Sequence, residues 1–286
     1  MCIRDRRQGE DSYYLVSAGA WSSYDGDYLR KAAYDKMEEF GYIEIHDVTS
    51  QWGVFAIAGP KSRDLLKSVI NEADVESALS NKRFPWLSSK TIEIGMCPVN
   101  AIRVAYTGEL GWELHHPIEM QNYLWDRLLL AGPEYGLKLV GARAQNWLRQ
   151  EKSYRAFGTE LGRDATPLEA DLSRFIDLEK EFLGKEGMKK TGVRAKCVTL
   201  LIDGPKDADP WGREALYLEN GTKVGRLTSG GYSVVFNKSI GMGYIRPDLA
   251  QEGQKLKVKM LNSLWDAEVT CDSPYDPKNE TIRKDG

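Results

Sequence analysis

Glu109 and Glu113 stand four residues apart in the run Ala105–Pro117, AYTGELGWELHHP, with Tyr106 and Trp112 beside them. Carboxylates next to flat rings suit a planar heterocycle with adjacent N–H donors. One ionised carboxylate accepts two parallel hydrogen bonds, and an aromatic face stacks on the ring. Ile102, Val104 and Tyr106 alternate before the run and Trp112 and Leu114 after it, which predicts two strands. Gly108 and Gly111 give the freedom a tight connection needs. Carboxylates and rings are therefore expected at one hairpin mouth. The other reading of the same residues is an ordinary hairpin with solvated Glu side chains.

The elements that must position this run are legible on both sides of it. Ser12–Gly19 reads as a strand, Asp27–Phe40 as a helix closed by Gly41, Tyr42–Val48 as a strand and Gly53–Ala58 as a buried strand. Gly59-Pro60 opens a helix with Leu65, Leu66, Val69 and Ile70 inward. Thr91–Gly95 and Val99–Tyr106 are strands feeding the hairpin, and Gln121–Ala131 and Gly141–Ala156 are amphipathic helices, the latter carrying Arg149. From Cys197 onward only strands and turns are expected: Cys197–Ile202, Ala215–Leu218, Val224–Thr228, Ser239–Ile245, Lys255–Met260 and Leu264–Cys271. Glu219-Asn220-Gly221-Thr222 is a hairpin turn signal. Short strands separated by Gly-rich turns argue for a small antiparallel barrel or sandwich. Asp276–Gly286 reads as a solvated tail.

Composition narrows the class. The 286 residues are 42% hydrophobic and 28% charged with a net charge of −3, so neither nucleic acid nor an anionic membrane is an expected partner. Four widely spaced cysteines with no CxxC suggest reduced thiols in a cytosolic or matrix compartment. Three histidines and no His/Cys cluster give no metal site. No apolar run approaches the ~18 residues of a membrane span. His115 and His116, without an evident partner, are expected at the surface, and Cys197 is expected to be an inert core thiol. Met1–Glu10, MCIRDRRQGE, lacks the apolar stretch of a secretory signal.

The run YTGELGWEL and residues 141–172, GARAQNWLRQEKSYRAFGTELGRDATPLEADL, together resemble the folate-binding aminomethyltransferase (T-protein) family. The nearer resemblance is to the C-terminal half of dimethylglycine and sarcosine dehydrogenases. Tyr106, Gly108–Leu114, Arg143, Leu148, Arg149, Glu151, Lys152, Tyr154, Arg155, Gly158, Leu161 and Thr166–Ala170 carry it. It continues through Phe55–Leu65, Phe84–Leu87, Phe182–Lys185 and Val224–Ile245. Asn146-Trp147 stands where Asp-Ser is expected, Gln150 where Leu is, and Ser153 where Gly is.

The resemblance implies an α+β, aminomethyltransferase-like folate-binding domain, partial at its N-terminus, followed by a small antiparallel β-barrel. Its boundaries would be a lead-in at 1–11 foreign to the fold, the folate domain at 12–192, the barrel at 193–276 and the tail at 277–286. It implies tetrahydrofolate as cofactor, with Glu113 accepting from the pterin, Tyr106 packing on the ring or positioning the one-carbon site, and Glu109 and Arg149 lining the pocket. Glu169 is expected to orient Arg149 or cap backbone amides. The implied activity is capture of the one-carbon unit of N-demethylation as 5,10-methylenetetrahydrofolate, from a methylamine-type substrate. The catalytic Asp and an FAD-binding flavoprotein domain would lie upstream in cis, so the chain alone is expected to be inactive. A cytoplasmic or mitochondrial-matrix setting follows. Three rivals share the fold: a glycine-cleavage aminomethyltransferase, a non-enzymatic folate-binding factor for iron–sulfur assembly, and a folate-dependent sulfonium demethylase. The iron–sulfur branch carries a KGCYxGQE-like motif not found here. Limited proteolysis is expected to cut first near residues 190–196 and later within Phe55–Leu66; a first cut inside Gly141–Ala156 would refute that boundary.

Overall fold

The computed structural model describes residues 5–205 and 207–285. Met1–Arg4 of the expected lead-in and Gly286 of the expected tail lie outside them. Contacts divide the chain into two compact units. The first is Met1–Ala105, Glu109–Leu139 and Thr281–Gly286; the second is Tyr106–Gly108 and Val140–Glu280.

The first unit holds a small ladder of β1 (Arg6–Arg7) and β2 (Tyr13–Tyr14), then α1 (Ser22–Asp35), α2 (Met37–Phe40), β3 (Trp52–Ala58), α3 (Ser62–Lys67), α4 (Val75–Ala78), β4 (Ser89–Ile94), β5 (Cys97–Ile102), β6 (Gly111–Pro117) and α5 (Gln121–Ala131). Its antiparallel sheet has the order β3-β6-β5-β4. The core is Leu65, Leu66, Val69 and Ile70 from the α3 region and Leu124 and Leu128 from α5, set against Ile57, Ile94, Val99, Trp112 and Leu114 of the sheet.

The second unit carries α6 (Ala142–Glu151) and α7 (Lys185–Thr191), then β7 (Lys196–Ile202), β8 (Ala215–Tyr217), β9 (Lys223–Ser233), β10 (Lys238–Ile245), β11 (Lys255–Met260) and β12 (Ser263–Thr270). The six strands close into an antiparallel barrel in the order β10-β7-β12-β11-β8-β9 around Leu200, Ile202, Leu216, Leu227, Leu256 and Val258. Because α6 packs on β9 and β10, the contacts gather residues 140–192 with the barrel. Among the described residues no helix is long and apolar enough to cross a membrane.

Several local expectations are corrected. Only Tyr13–Tyr14 of Ser12–Gly19 pairs as strand, and Tyr42–Val48 has no strand. The first helix starts at Ser22 and breaks at Lys36, before the short α2. The lead-in is not foreign to the unit: Arg6 and Arg7 pair with Tyr14 and Tyr13. The tail is largely exposed, as expected, but it is anchored. Ile282 is buried, Asn81 Nδ2 donates to the Arg283 carbonyl at 2.7 Å, and Arg283 lies 4.7 Å from the Trp86 ring centroid.

Glu169 caps backbone amides, one of its two expected roles. It accepts from the Thr166 amide at 2.8 Å, the Arg194 amide at 3.0 Å and Arg194 Nε at 2.8 Å. The Arg194 side-chain bonds, with the amide bonds behind them, hold its carboxyl at about 2, against an ordinary 4.5. A carboxyl depressed on folding stabilises above its unfolded value and stops doing so as pH falls through its folded one. Urea unfolding between pH 5 and pH 2 should therefore show a shallower acid loss in Glu169→Gln than in the parent; superimposable pH profiles would remove this contribution.

Candidate functional site

β6 reads Gly-Trp-Glu-Leu-His-His-Pro, and period two sends alternate residues to opposite faces. Trp112 and Leu114 enter the core. Glu113 and His115 therefore share the other face, with Ala56 and Ile102 beside Glu113 on the neighbouring strands. Ala56 leaves room beside the carboxylate. Glu113 is 8% exposed and His115 is 1% exposed, so the surface expectation for His115 and His116 is corrected. His116 is buried as well, with Nδ1 2.9 Å from the Leu114 carbonyl and its ring stacked on Phe55 at 4.8 Å.

These groups form a short chain of polar contacts. Tyr14 Oη lies 3.0 Å from His115 Nδ1, and His115 Nε2 lies 3.3 Å from Glu113 Oε2. Tyr14 comes from β2, so the ladder that contains the supposed lead-in orients the histidine. Burial lowers the Arg6 guanidinium below its ordinary value, while the charges of Asp5 and Glu113 pull it back up. A cation thus stands within electrostatic reach of the Glu113 carboxylate. Histidine fixed at both nitrogens locks the rotamer of the carboxylate beside it.

The hairpin mouth is not as read. Residues 103–110 connect β5 to β6 without strand pairing, and Glu113 lies inside β6. Trp112 is wholly buried, so its ring is core and has no face for a ligand. Gly111 is required because a Cβ there would sit 2.5 Å from the Ile57 carbonyl oxygen. Glu109 is half-buried in the connection and belongs, with Glu113, to the first unit. Tyr106 belongs to the second unit, where it stacks on Tyr154 at 6.2 Å and 18° and donates to the Arg155 carbonyl at 3.2 Å.

Arg149, also in the second unit, is 1% exposed. Its partner is Glu160, at 2.9 Å, which the sequence reading did not single out; neither Glu151 nor Glu169 is paired with it. Nε donates to Asn146 Oδ1 at 2.9 Å, Nη1 to the Tyr154 carbonyl at 2.8 Å and Nη2 to Ser229 Oγ at 2.6 Å. Glu160 accepts from Ala156 N, Thr159 Oγ1, Thr228 Oγ1 and Ser229 Oγ as well. Burial pushes its carboxyl up, but Arg149, the hydroxyls and the amide outweigh that and hold it below the ordinary value. Two clefts in this unit, of 230 Å³ beside Arg155 and Cys197 and 430 Å³ beside Arg143 and Trp211, are lined by none of the four predicted residues. Cys197 is buried, and burial pushes its thiol up to about 12, which keeps it unreactive. Among the described residues no cluster of three His, Cys, Asp or Glu could hold a metal.

Comparison with known families decides the kinship. The model for the GCVT N-terminal domain matches residues 6–180, and that for the glycine cleavage T-protein C-terminal barrel domain matches residues 196–276. The chain belongs to the glycine cleavage T-protein family. It is 38% identical to human (Homo sapiens) mitochondrial dimethylglycine dehydrogenase over 98% of its own length and 32% of that protein's. It is 33% identical to the aminomethyltransferase of Caldanaerobacter subterraneus subsp. tengcongensis, over 94% of this chain and 69% of that one. A solved aminomethyltransferase T of the glycine cleavage system from Bartonella henselae shares the fold, with a TM-score of 0.75 at 21% identity over 96% of this chain and 70% of that one. The chain thus spans about a third of the first curated relatives it matches. The family match starts at residue 6, inside the segment read as lead-in.

The three departures from the expected dehydrogenase pattern each meet a specific neighbour, although Gln150 Oε1 is buried without a hydrogen-bond partner among the described residues. Asn146 accepts from Arg149, Gln150 Nε2 donates to the Asn146 carbonyl at 2.9 Å and the Gly230 carbonyl at 3.2 Å, and Trp147 lies over Gly231, whose Cβ would meet its ring. Ser153 holds the positive φ of 54° expected of a glycine, while its Oγ lies 2.7 Å from Thr199 Oγ1. Glu160→Gln would leave the buried Arg149 guanidinium without its counter-charge and should cost about 3–5 kcal/mol. Urea unfolding measures it, and a loss near zero would mean that Arg149 does not depend on this pair.

Proposed function

We propose that the chain is the tetrahydrofolate-dependent one-carbon transfer module of a dimethylglycine or sarcosine dehydrogenase-like protein. The observation that carries the reading is the Glu113 carboxylate: buried, on the non-core face of β6, and held by His115 at 3.3 Å. A pterin edge offers a ring N–H beside an exocyclic amine. An ionised carboxylate presents several acceptor lone pairs, the chemistry such an edge calls for. When bound, tetrahydrofolate supplies the nitrogens to which a one-carbon unit is joined.

The chain's own residues then hold and orient. Glu113 accepts from the pterin donors, and the His115–Tyr14 pair fixes the carboxylate's rotamer. Arg6 supplies positive potential near the acceptor. Glu109 belongs to the same unit as Glu113, while in the second unit the Tyr106 ring is set by its stack on Tyr154. Arg149 has all three guanidinium nitrogens engaged, so it acts as a positioning residue for Tyr154 and the 156–160 turn, not as a ligand contact. Proximity and exclusion of water supply the rate on this reading. An amine-oxidising flavoprotein segment in cis generates the one-carbon unit. The match to an aminomethyltransferase over 69% of its length supports a second reading, transfer from a lipoyl-carried aminomethyl group. Turnover with lipoylated carrier protein but not with dimethylglycine or sarcosine would select it.

Glu113→Gln keeps the shape but replaces one acceptor oxygen by a donor. Titration calorimetry with tetrahydrofolate should show a loss of about 2–3 kcal/mol. Equal affinity in the two proteins would take Glu113 out of the site.

A further inference from the structure

The first unit contains a second polar centre that the folate reading does not use. Arg63 and Arg103 are 3% and 1% exposed, and each guanidinium carbon lies 5.7 Å from the Trp112 ring centroid. Two like charges are thereby buried around one indole. Among the described residues Arg103 donates to carbonyls, Phe84 at 2.7 Å and Ile282 at 3.4 Å. Arg63 reaches Asn81 Oδ1 at 3.2 Å and one carboxylate, Asp285 Oδ1, at 3.2 Å. The Asn81 amide donates to that same oxygen at 2.9 Å.

The donors outnumber the acceptors. Arg63 Nε, Arg103 Nε and Trp112 Nε1 are buried with no hydrogen-bond partner. Buried guanidinium pairs persist only when anions compensate them, and among the described residues Asp285 is the one carboxylate ion-paired with either arginine. Burial and the neighbouring Arg63 charge lower Arg103 to about 10, with Asp285 opposing, as an under-compensated pair requires. Asp285 is itself over half exposed, at 58%, and it arrives on the short segment Thr281–Asp285. Its hold is that of a ligand at the rim of a receptor, not of a core residue.

We infer that Arg63 and the Asn81 amide, with the Arg103 charge beside them, form a carboxylate-binding site, occupied in cis by Asp285 and able to take a small exogenous carboxylate when that side chain is removed. The segment Thr281–Asp285 is then an internal acidic ligand that ties itself to the sheet unit. The site matches the chemistry of a carboxylate: one oxygen accepts from a buried guanidinium nitrogen and from a backbone N–H, with a second buried guanidinium nearby.

Chemical rescue tests this. The full chain, Asp285→Ala, and Asp285→Ala combined with Arg63→Gln are melted in increasing sodium formate, with sodium chloride lowered in step to hold ionic strength constant. Asp285→Ala should melt about 2–4 °C below the parent, and formate should restore most of that loss along a saturating curve. The parent and the double variant should show no such curve. Asp285→Gly, which also vacates the site, gives the same reading if the alanine variant aggregates. An Asp285 variant that melts with the parent, a recovery reproduced by chloride, or a formate response surviving Arg63→Gln would each overturn the inference.

Discussion

The constraint on which the first unit depends is the position of β6 between β3 and β5. An inner strand has no free edge, so every side chain must be committed to one face or the other. Trp112 and Leu114 take the helix-covered face, where α3 and α5 close the core. That commitment leaves Glu113 and His115 on the opposite face, paired across the sheet with Ala56, Val54, Asn100 and Ile102. A register slip by one residue would drive Glu113 into the core and Trp112 out of it. The hydrophobic demand of one face thus sets the position of the carboxylate on the other, before any interaction of the carboxylate itself is considered.

In the second unit the comparable role falls to a charge pair. Arg149 projects from α6 into contact with Glu160 and Ser229, and Glu160 is bonded in turn to Thr228 on β9 and, through its carbonyl, to Tyr244 on β10. Both side chains are out of water, where an unpaired charge is costly and a fully satisfied network is rigid. Four separate pieces of chain therefore have one mutual arrangement. Tyr154, whose carbonyl accepts from Arg149 and whose ring stacks on Tyr106, inherits its place from that arrangement. Gly108, at φ 79°, is packed where a Cβ would overlap the buried Lys152 chain, which holds the Tyr106–Gly108 segment to the same unit.

How much of this was legible in the sequence follows from how local each signal is. The strand pattern Lys255–Met260 and the helix Gln121–Ala131 coincide with the observed elements, because period-two and period-3.6 burial can be counted along the chain. The barrel was legible for the same reason. The misread segments at 12–19 and 42–48 are aromatic-rich but have no sheet partner beyond Tyr13–Tyr14, and propensity without pairing does not make a strand. His115, His116 and Ile282 were read as exposed because their cover comes from residues distant in sequence: Tyr14 for His115, Phe55 for His116, and Arg103 at the Ile282 carbonyl. Glu113 was legible through its motif. Glu160 was not, since nothing around it in the sequence announces that two barrel hydroxyls and a helix guanidinium converge there.

The departures from the expected dehydrogenase pattern separate scaffold from site. Asn146, Trp147, Gln150 and Ser153 differ from the expected residues, and each difference is met by a specific neighbour: Arg149, Gly231, the Gly230 carbonyl, Thr199. A buried glutamine in place of leucine needs acceptors for its amide N–H groups, and the buried Gly230 carbonyl supplies one while Oε1 stays without a partner. A bulky indole in place of serine needs a facing position with no side chain, and Gly231 is that position. Such exchanges change how α6 seats on the barrel while leaving the atoms of the Arg149–Glu160 network satisfied. Tyr106, Gly108, Glu109, Gly111 and Glu113 match the expected pattern, and at Gly108 and Gly111 close approach of Lys152 and of the Ile57 carbonyl leaves no room for a side chain. The differing positions lie on and just beyond α6, where a neighbouring glycine, carbonyl or hydroxyl can receive a changed side chain, whereas a Cβ at Gly108 or Gly111 has nowhere to go.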